Sequence, residues 1–220
     1  MDNRNLTTGK PKPLLVYLVA IYAASLLAAN ILANHMIVFI RWTTTAGIIT
    51  FPITYILASV LSEVYGYKWA RRAAWLTLAL SALMAGLIQL SILLPGPEWY
   101  DSVYFATGIG NTWRIVLASL TAFTVGKYVN DRLFAHFKGS HTGMQGFKFR
   151  AMASSIIGHV LDTTIFILIA FAFLSPWGVI PEMIIVGVCT KWGYEWLALP
   201  LTVKIVKKVR AYEGIDINSK

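Results

Sequence analysis

Ser155, His159, Asp162 and Phe166 follow one another at steps of four, three and four, and Gly187, Lys191, Glu195 and Ala198 at steps of four, four and three. On a helix either set forms a single stripe. The second stripe pairs an ammonium with a carboxylate one turn on, and the first pairs an imidazole with a carboxylate. Two readings are open. Asp162 and Lys191 form an ion pair that fixes helix packing, or they face a cavity and contact a solute or a proton. Nucleophilic chemistry is not expected, because Ser155, His159 and Asp162 on one helix face do not supply triad geometry. GxxxxGK[ST] and HExxH are absent, and His35, His136, His141 and His159 are scattered, so neither ATP hydrolysis, an enzyme activity, a metal nor a cofactor is expected.

The elements that must carry these stripes are set by composition. Of 220 residues 57% are hydrophobic and only 13% charged, which places the chain among all-α integral membrane proteins rather than soluble domains. Apolar runs of about 20 residues, the length a spanning helix needs, lie at about 14–34, 47–65, 73–94, 112–130, 152–174 and 181–204. Residues 1–220 therefore read as a single six-helix domain. The first run is too long for a signal peptide and is read as an uncleaved helix. Lys and Arg collect at the N-terminus, around Lys68, Arg71 and Arg72, between Arg132 and Arg150, and from Lys204 onward, so both termini are expected in the cytoplasm. On this view the net charge of +9 belongs to cytoplasmic loops, and no nucleic-acid partner is expected. Pro95–Asn111 reads as a long aromatic outer loop. The Gly-containing segment Asp131–Arg150 reads as a basic hinge between two halves of three helices, which makes an inverted 3+3 arrangement an option. Cys189, the single cysteine, excludes a disulfide framework.

Depth along the spans selects further residues. At about 1.5 Å per residue, Asp162 and Lys191 each lie roughly 15 Å from the start of their helices, near the midplane. Ser59, Ser62 and Glu63 end the second span, and Glu63 reads as a buried acid followed by the basic stop. Asn30 is expected to bond a neighbouring helix in preference to a ligand. Arg114 and Lys127, near opposite ends of the fourth span, divide between snorkelling and a site. Trp113, Trp192, Tyr194 and Trp196 are the rings near the charged stripes that a planar solute could stack on, with lipid-facing packing the plainer expectation for each.

FPITYILASVLSEVYGYKWARR (Phe51–Arg72), WRIVLASLTAFTVGKYVNDRLF (Trp113–Phe134), SSIIGHVLDTTIF (Ser154–Phe166) and the Lys191 region together resemble, in order, the blocks of the queuosine precursor transporter family, also called the vitamin uptake transporter family. The resemblance covers nearly the whole chain. It implies six helices that import a 7-deazaguanine, such as queuine, preQ0 or preQ1, across the bacterial inner membrane, with Glu63, Gly66, Arg114, Asp162 and Lys191 at matching positions. Ser59 stands where the family pattern has Asp. The substrate-binding set expected on these grounds is Asn30, Ser59, Glu63, Arg114, Lys127, His159, Asp162, Lys191 and Glu195. Its partners are a small deazapurine and the lipid bilayer, and a homodimer is left open. The competing reading is a substrate-binding membrane subunit of an energy-coupling vitamin transporter that needs a separate ATPase module. Ala20, Ala24 and Ala28 would give that subunit a small-residue stripe for close helix contact.

Overall fold

The computed structural model describes residues 13–136 and 143–214, with side chains for all of these except 127, 130, 131 and 133–155. Six long helices dominate: α1 (Pro13–Leu32), α2 (Phe51–Tyr65), α3 (Tyr67–Leu93), α5 (Thr112–His136), α6 (Gly143–Phe171) and α7 (Val179–Glu213), with a short α4 (Ser102–Ile109) between α3 and α5. Each apolar run of the sequence falls largely on one of these helices. Among the described residues, Pro13–Leu32, Ala46–Tyr65 and Tyr67–Leu93 are long and apolar enough to cross a membrane, and Ile156–Phe171 is a shorter apolar helix. The ionisable residues fall mainly on α5, α6 and α7, which is what lowers the apolar character of that half.

Three features differ from the sequence reading. Between the first two spans the chain forms a hairpin, β1 (Met36–Phe39) on β2 (Trp42–Thr45), with Phe39 opposite Trp42, followed by a 3-10 turn, Ala46–Thr50. Its β-branched Ile, Val and Thr residues favour the extended form, and the two-residue connection holds Ile40 at φ 61°. The loop expected over Pro95–Asn111 contains α4, capped by the Asp101 carboxylate, which accepts the Val103 N–H at 3.0 Å. Helix also replaces most of the expected hinge, since α5 runs to His136 and α6 begins at Gly143. The rest of the hinge lies outside the described residues.

One turn residue is required by its geometry. Gly66 sits between α2 and α3 at φ 86°, where only glycine is unstrained, and its carbonyl accepts the N–H groups of Trp69 and Ala70. That single residue ends one span and starts the next, and so accounts for the YG step in the sequence.

The long helices alternate in direction and close a ring in the order α1, α2, α7, α6, α5, α3. Two separate cores hold it. At the end carrying Lys68, Arg71 and Arg210, here called the basic end, Leu57, Val60, Leu61 and Val64 of α2 bury against Leu15, Leu18, Ala73 and Val209. At the hairpin end Ile115 and Ala118 of α5 bury against Ile167, Ala170, Ile180 and Met183. The space between the two cores, halfway along the ring, is where side chains can face a cavity.

Candidate functional site: an ion pair in a six-helix chamber

Between the cores lies a cavity of about 220 Å³ to which all six long helices contribute. Asp162 of α6 and Lys191 of α7 meet in its wall, with Lys191 Nζ 2.5 Å from Asp162 Oδ2. The Lys191 side chain is only 11% exposed and Asp162 32%, so the ammonium is shielded while the carboxylate keeps an open side. Nζ also lies 5.7 Å from the centre of the Phe51 ring, a cation–π contact. Close helix approach sets this geometry. A Cβ on Gly126 of α5 would come to 3.3 Å from Asp162 Cβ, and one on Gly187 of α7 to 2.7 Å from Thr163 Cγ2 of α6.

Across the chamber Asn30 joins three helices. Its Nδ2 donates to Ser81 Oγ of α3 at 3.1 Å, and its Oδ1 accepts from Ser119 Oγ of α5 at 3.2 Å. The interhelical role expected of this amide is what the structure shows, and Asn30 also lines the chamber. Ser81 and Ser119 escaped the sequence reading because small hydroxyls are common in apolar helices and satisfy themselves on the preceding turn, as Ser81 does on Thr77 O.

The aromatic lining is Tyr22, Phe51, Tyr55, Phe123 and Phe166. The expected rings are elsewhere: Trp113, Trp192 and Trp196 are 48%, 45% and 62% exposed, and neither they nor Tyr194 line the chamber.

A second cavity, about 420 Å³, continues toward the basic end and shares Tyr22, Tyr55, Ala58, Ala74, Phe123 and Asp162 with the first. Its far wall carries Ser62, Tyr67, Arg71 and His159. Asp162 therefore stands where the two spaces adjoin. One turn below it on α6, His159 Nε2 lies 3.1 Å from Glu195 Oε2, and Tyr55 meets the imidazole edge to face at 6.2 Å between centroids. Glu195 opens into a third space of about 450 Å³ between α2 and α7, with Ser59, Glu63, Lys207 and Arg210.

The other expected site residues separate from this centre. Glu63 is not a buried acid: its side chain is 67% exposed at the basic end, because it points away from the face of α2 on which Leu61, Val64 and Tyr65 are buried. Its carbonyl accepts Arg210 Nη2 at 2.6 Å. Ser59 faces the α2–α7 cleft and not the ion pair. Arg114 lies at the hairpin end, where Nε donates to Ile169 O and Nη2 to Ala172 O, both at 2.6 Å. These are carbonyls left over at the C-terminus of α6, which a guanidinium satisfies well. The side chain of Lys127 lies outside the described residues.

A ring of six long helices around a shielded ion pair that stands between two cavities is the build of a small membrane transporter. The family model described as "Putative vitamin uptake transporter" matches residues 45–205, more than half of the chain, and the protein belongs to that family. It is a membrane transporter with several spanning helices. A relative from Bacillus subtilis (strain 168), named "Probable queuosine precursor transporter", is 23% identical over 185 residues, covering 82% of this chain and 80% of its own length. No solved structure matches the chain.

Proposed function

We propose that the protein imports a queuosine precursor, a 7-deazaguanine, across the bacterial inner membrane, and that the chamber at Asp162 and Lys191 binds it. The N-terminus and the basic end face the cytoplasm, as the placement of Lys and Arg favours. The whole chain acts as one domain whose two antiparallel triplets of helices expose the chamber alternately to either side. The observation that carries this reading is the ion pair beside aromatic walls. A guanine-like edge presents an N–H and an exocyclic amine beside a carbonyl. A carboxylate accepts the first two and an adjacent ammonium donates to the third. Asp162 and Lys191 offer this pair side by side, Asn30 is the polar group opposite, and Tyr22, Phe51, Tyr55, Phe123 and Phe166 supply ring faces. The volume of about 220 Å³ is below the roughly 300–1,000 Å³ of drug-sized pockets, as a single small bicyclic ring requires. Glu63, Ser59 and Arg114 lie outside the binding step on this reading, and His159 and Glu195 lie one turn below it.

The test is thermal unfolding of detergent-purified protein with queuine, 7-cyano-7-deazaguanine, 7-aminomethyl-7-deazaguanine, guanine, biotin and riboflavin. A ligand at a hundred times its Kd stabilises by about 2.7 kcal/mol, a shift of about 5 °C or more for a chain of this length. The deazaguanines are expected to produce it and the vitamins are not. Stabilisation by biotin or riboflavin alone would instead support the vitamin-binding subunit, which would also fail to take up substrate in liposomes without its ATPase.

A further inference from the structure

The contacts between α6 and α7 include two polar rungs one turn apart, and only one of them contacts the chamber. Asp162 and Lys191 form the first, a carboxylate against an ammonium. His159 and Glu195 form the second, toward the basic end. The first rung balances its own charge. In the second, balance depends on a proton: carboxylate with imidazolium is neutral, carboxylate with imidazole carries one negative charge. An ionisable pair inside a spanning bundle has to account for its solvation cost, and imidazole is the side chain that changes charge near neutral pH.

We propose that the His159–Glu195 rung is the binding site of a coupling proton, so that the protein is a proton symporter. This rests on the reading of the Asp162–Lys191 chamber as the deazaguanine site. Its surroundings favour the assignment. His159 faces the cavity shared with Asp162, while Glu195, with its side chain 46% exposed, faces the separate cleft between α2 and α7. The rung therefore joins the cavity shared with Asp162 to the α2–α7 cleft through one hydrogen bond, beside Tyr55, which lines both. Among the described residues, Tyr55 faces the imidazole from α2 and Glu195 from α7, Asp162 lies one turn up its own helix, and Tyr22 of α1 with Tyr67 and Arg71 of α3 line the same cavity; the α5 residue packed against Asp162 is Gly126.

The coupling follows from charge. Lys191 pairs with Asp162 and lies one turn from Glu195 on α7, so its charge is close to both carboxylates. When the substrate carbonyl draws on the ammonium, the carboxylates along the α6–α7 seam lose part of their counter-charge and a proton on His159 restores it, so substrate and proton favour each other's binding. The proton enters from the substrate side and is held on His159 as imidazolium. It then passes from Nε2 to Glu195 Oε2 and leaves to water in the cleft, returning His159 to the neutral form. One proton enters and one leaves per substrate.

The experiment uses the full chain in liposomes at clamped membrane potential, with radiolabelled 7-cyano-7-deazaguanine, which carries no charge. With the outside one pH unit more acid, one-to-one symport accumulates the probe about tenfold, since a tenfold proton ratio drives a tenfold substrate ratio. A trapped pH dye is expected to report acidification of the lumen as the probe enters. His159→Gln and Glu195→Gln keep hydrogen-bonding groups but cannot relay the proton; both are expected to lose accumulation, to a ratio of about one, and to retain exchange of labelled for unlabelled probe. Retained exchange also shows that the variants are folded. Wild-type exchange without accumulation overturns the proposal and leaves the chamber assignment standing. Variants that accumulate like wild type overturn it too, as do well-folded variants that lose exchange and accumulation together. Absence of both exchange and accumulation in wild type removes the substrate reading itself.

Discussion

Replacing Asp162 with alanine is expected to reduce deazaguanine import at least about 30-fold, the equivalent of the roughly 2 kcal/mol lower bound for truncating one member of a shielded charge pair. Two losses combine. The substrate loses the acceptor for its donor edge, and Lys191, 11% exposed, is left with an uncompensated charge. Breaking a buried pair costs about 3–5 kcal/mol, but Asp162 is a third exposed, so about 3 kcal/mol is the ceiling here. The double variant Asp162→Asn with Lys191→Gln separates the two. It removes both charges, so thermal stability is expected to return toward wild type while import stays lost. Single variants that insert normally and import at full rate would show that the pair only holds α6 to α7.

The second large effect is expected at Gly187, which touches no substrate. Alanine there gains about 1 kcal/mol of helix propensity. Its Cβ, however, would sit 2.7 Å from Thr163 Cγ2. Thr163 is fully buried between the helices, so its methyl has little free volume to move into. Overpacking of about 1–3 kcal/mol therefore outweighs the propensity gain, and α6 and α7 must separate. Because the Asp162–Lys191 contact bridges the same two helices one turn away, Gly187→Ala is expected to lower the unfolding temperature and to reduce import about tenfold. Adding Thr163→Ser removes the methyl in the way and should restore much of both, a coupling read by a double-mutant cycle. A Gly187→Ala protein as stable and active as wild type would mean that the helices adjust freely at this crossing.

How much of this was legible in the sequence depended on periodicity and on depth. Asp162, Lys191, His159 and Glu195 were found because helical spacing and distance along a span are both readable from residue numbers, and the structure pairs them as two rungs. Helix rotation was less legible. Where one face meets lipid and the other meets protein, both are apolar, so the stripe that carries Asp162 placed Phe166, but nothing in the sequence says that Phe51 and Phe123 turn inward while Trp113, Trp192 and Trp196 turn outward. Glu63 was misplaced because it lies at a span end, where one turn decides between core and water. Arg114 satisfies backbone carbonyls of α6, a task that depends on which helix is its neighbour. The hairpin and α4 were missed because short elements leave little periodic signal.

The central claim is that the chamber is where substrate sits. Ala58 lines both the chamber and the cavity below it, and its replacement by cysteine, with the exposed Cys189 changed to serine, gives one thiol at the junction. Membrane-impermeant thiol reagents applied from either side should modify it, and 7-cyano-7-deazaguanine, but not biotin, should protect it at concentrations that track its affinity. Modification at an undiminished rate with the ligand saturating would contradict the account.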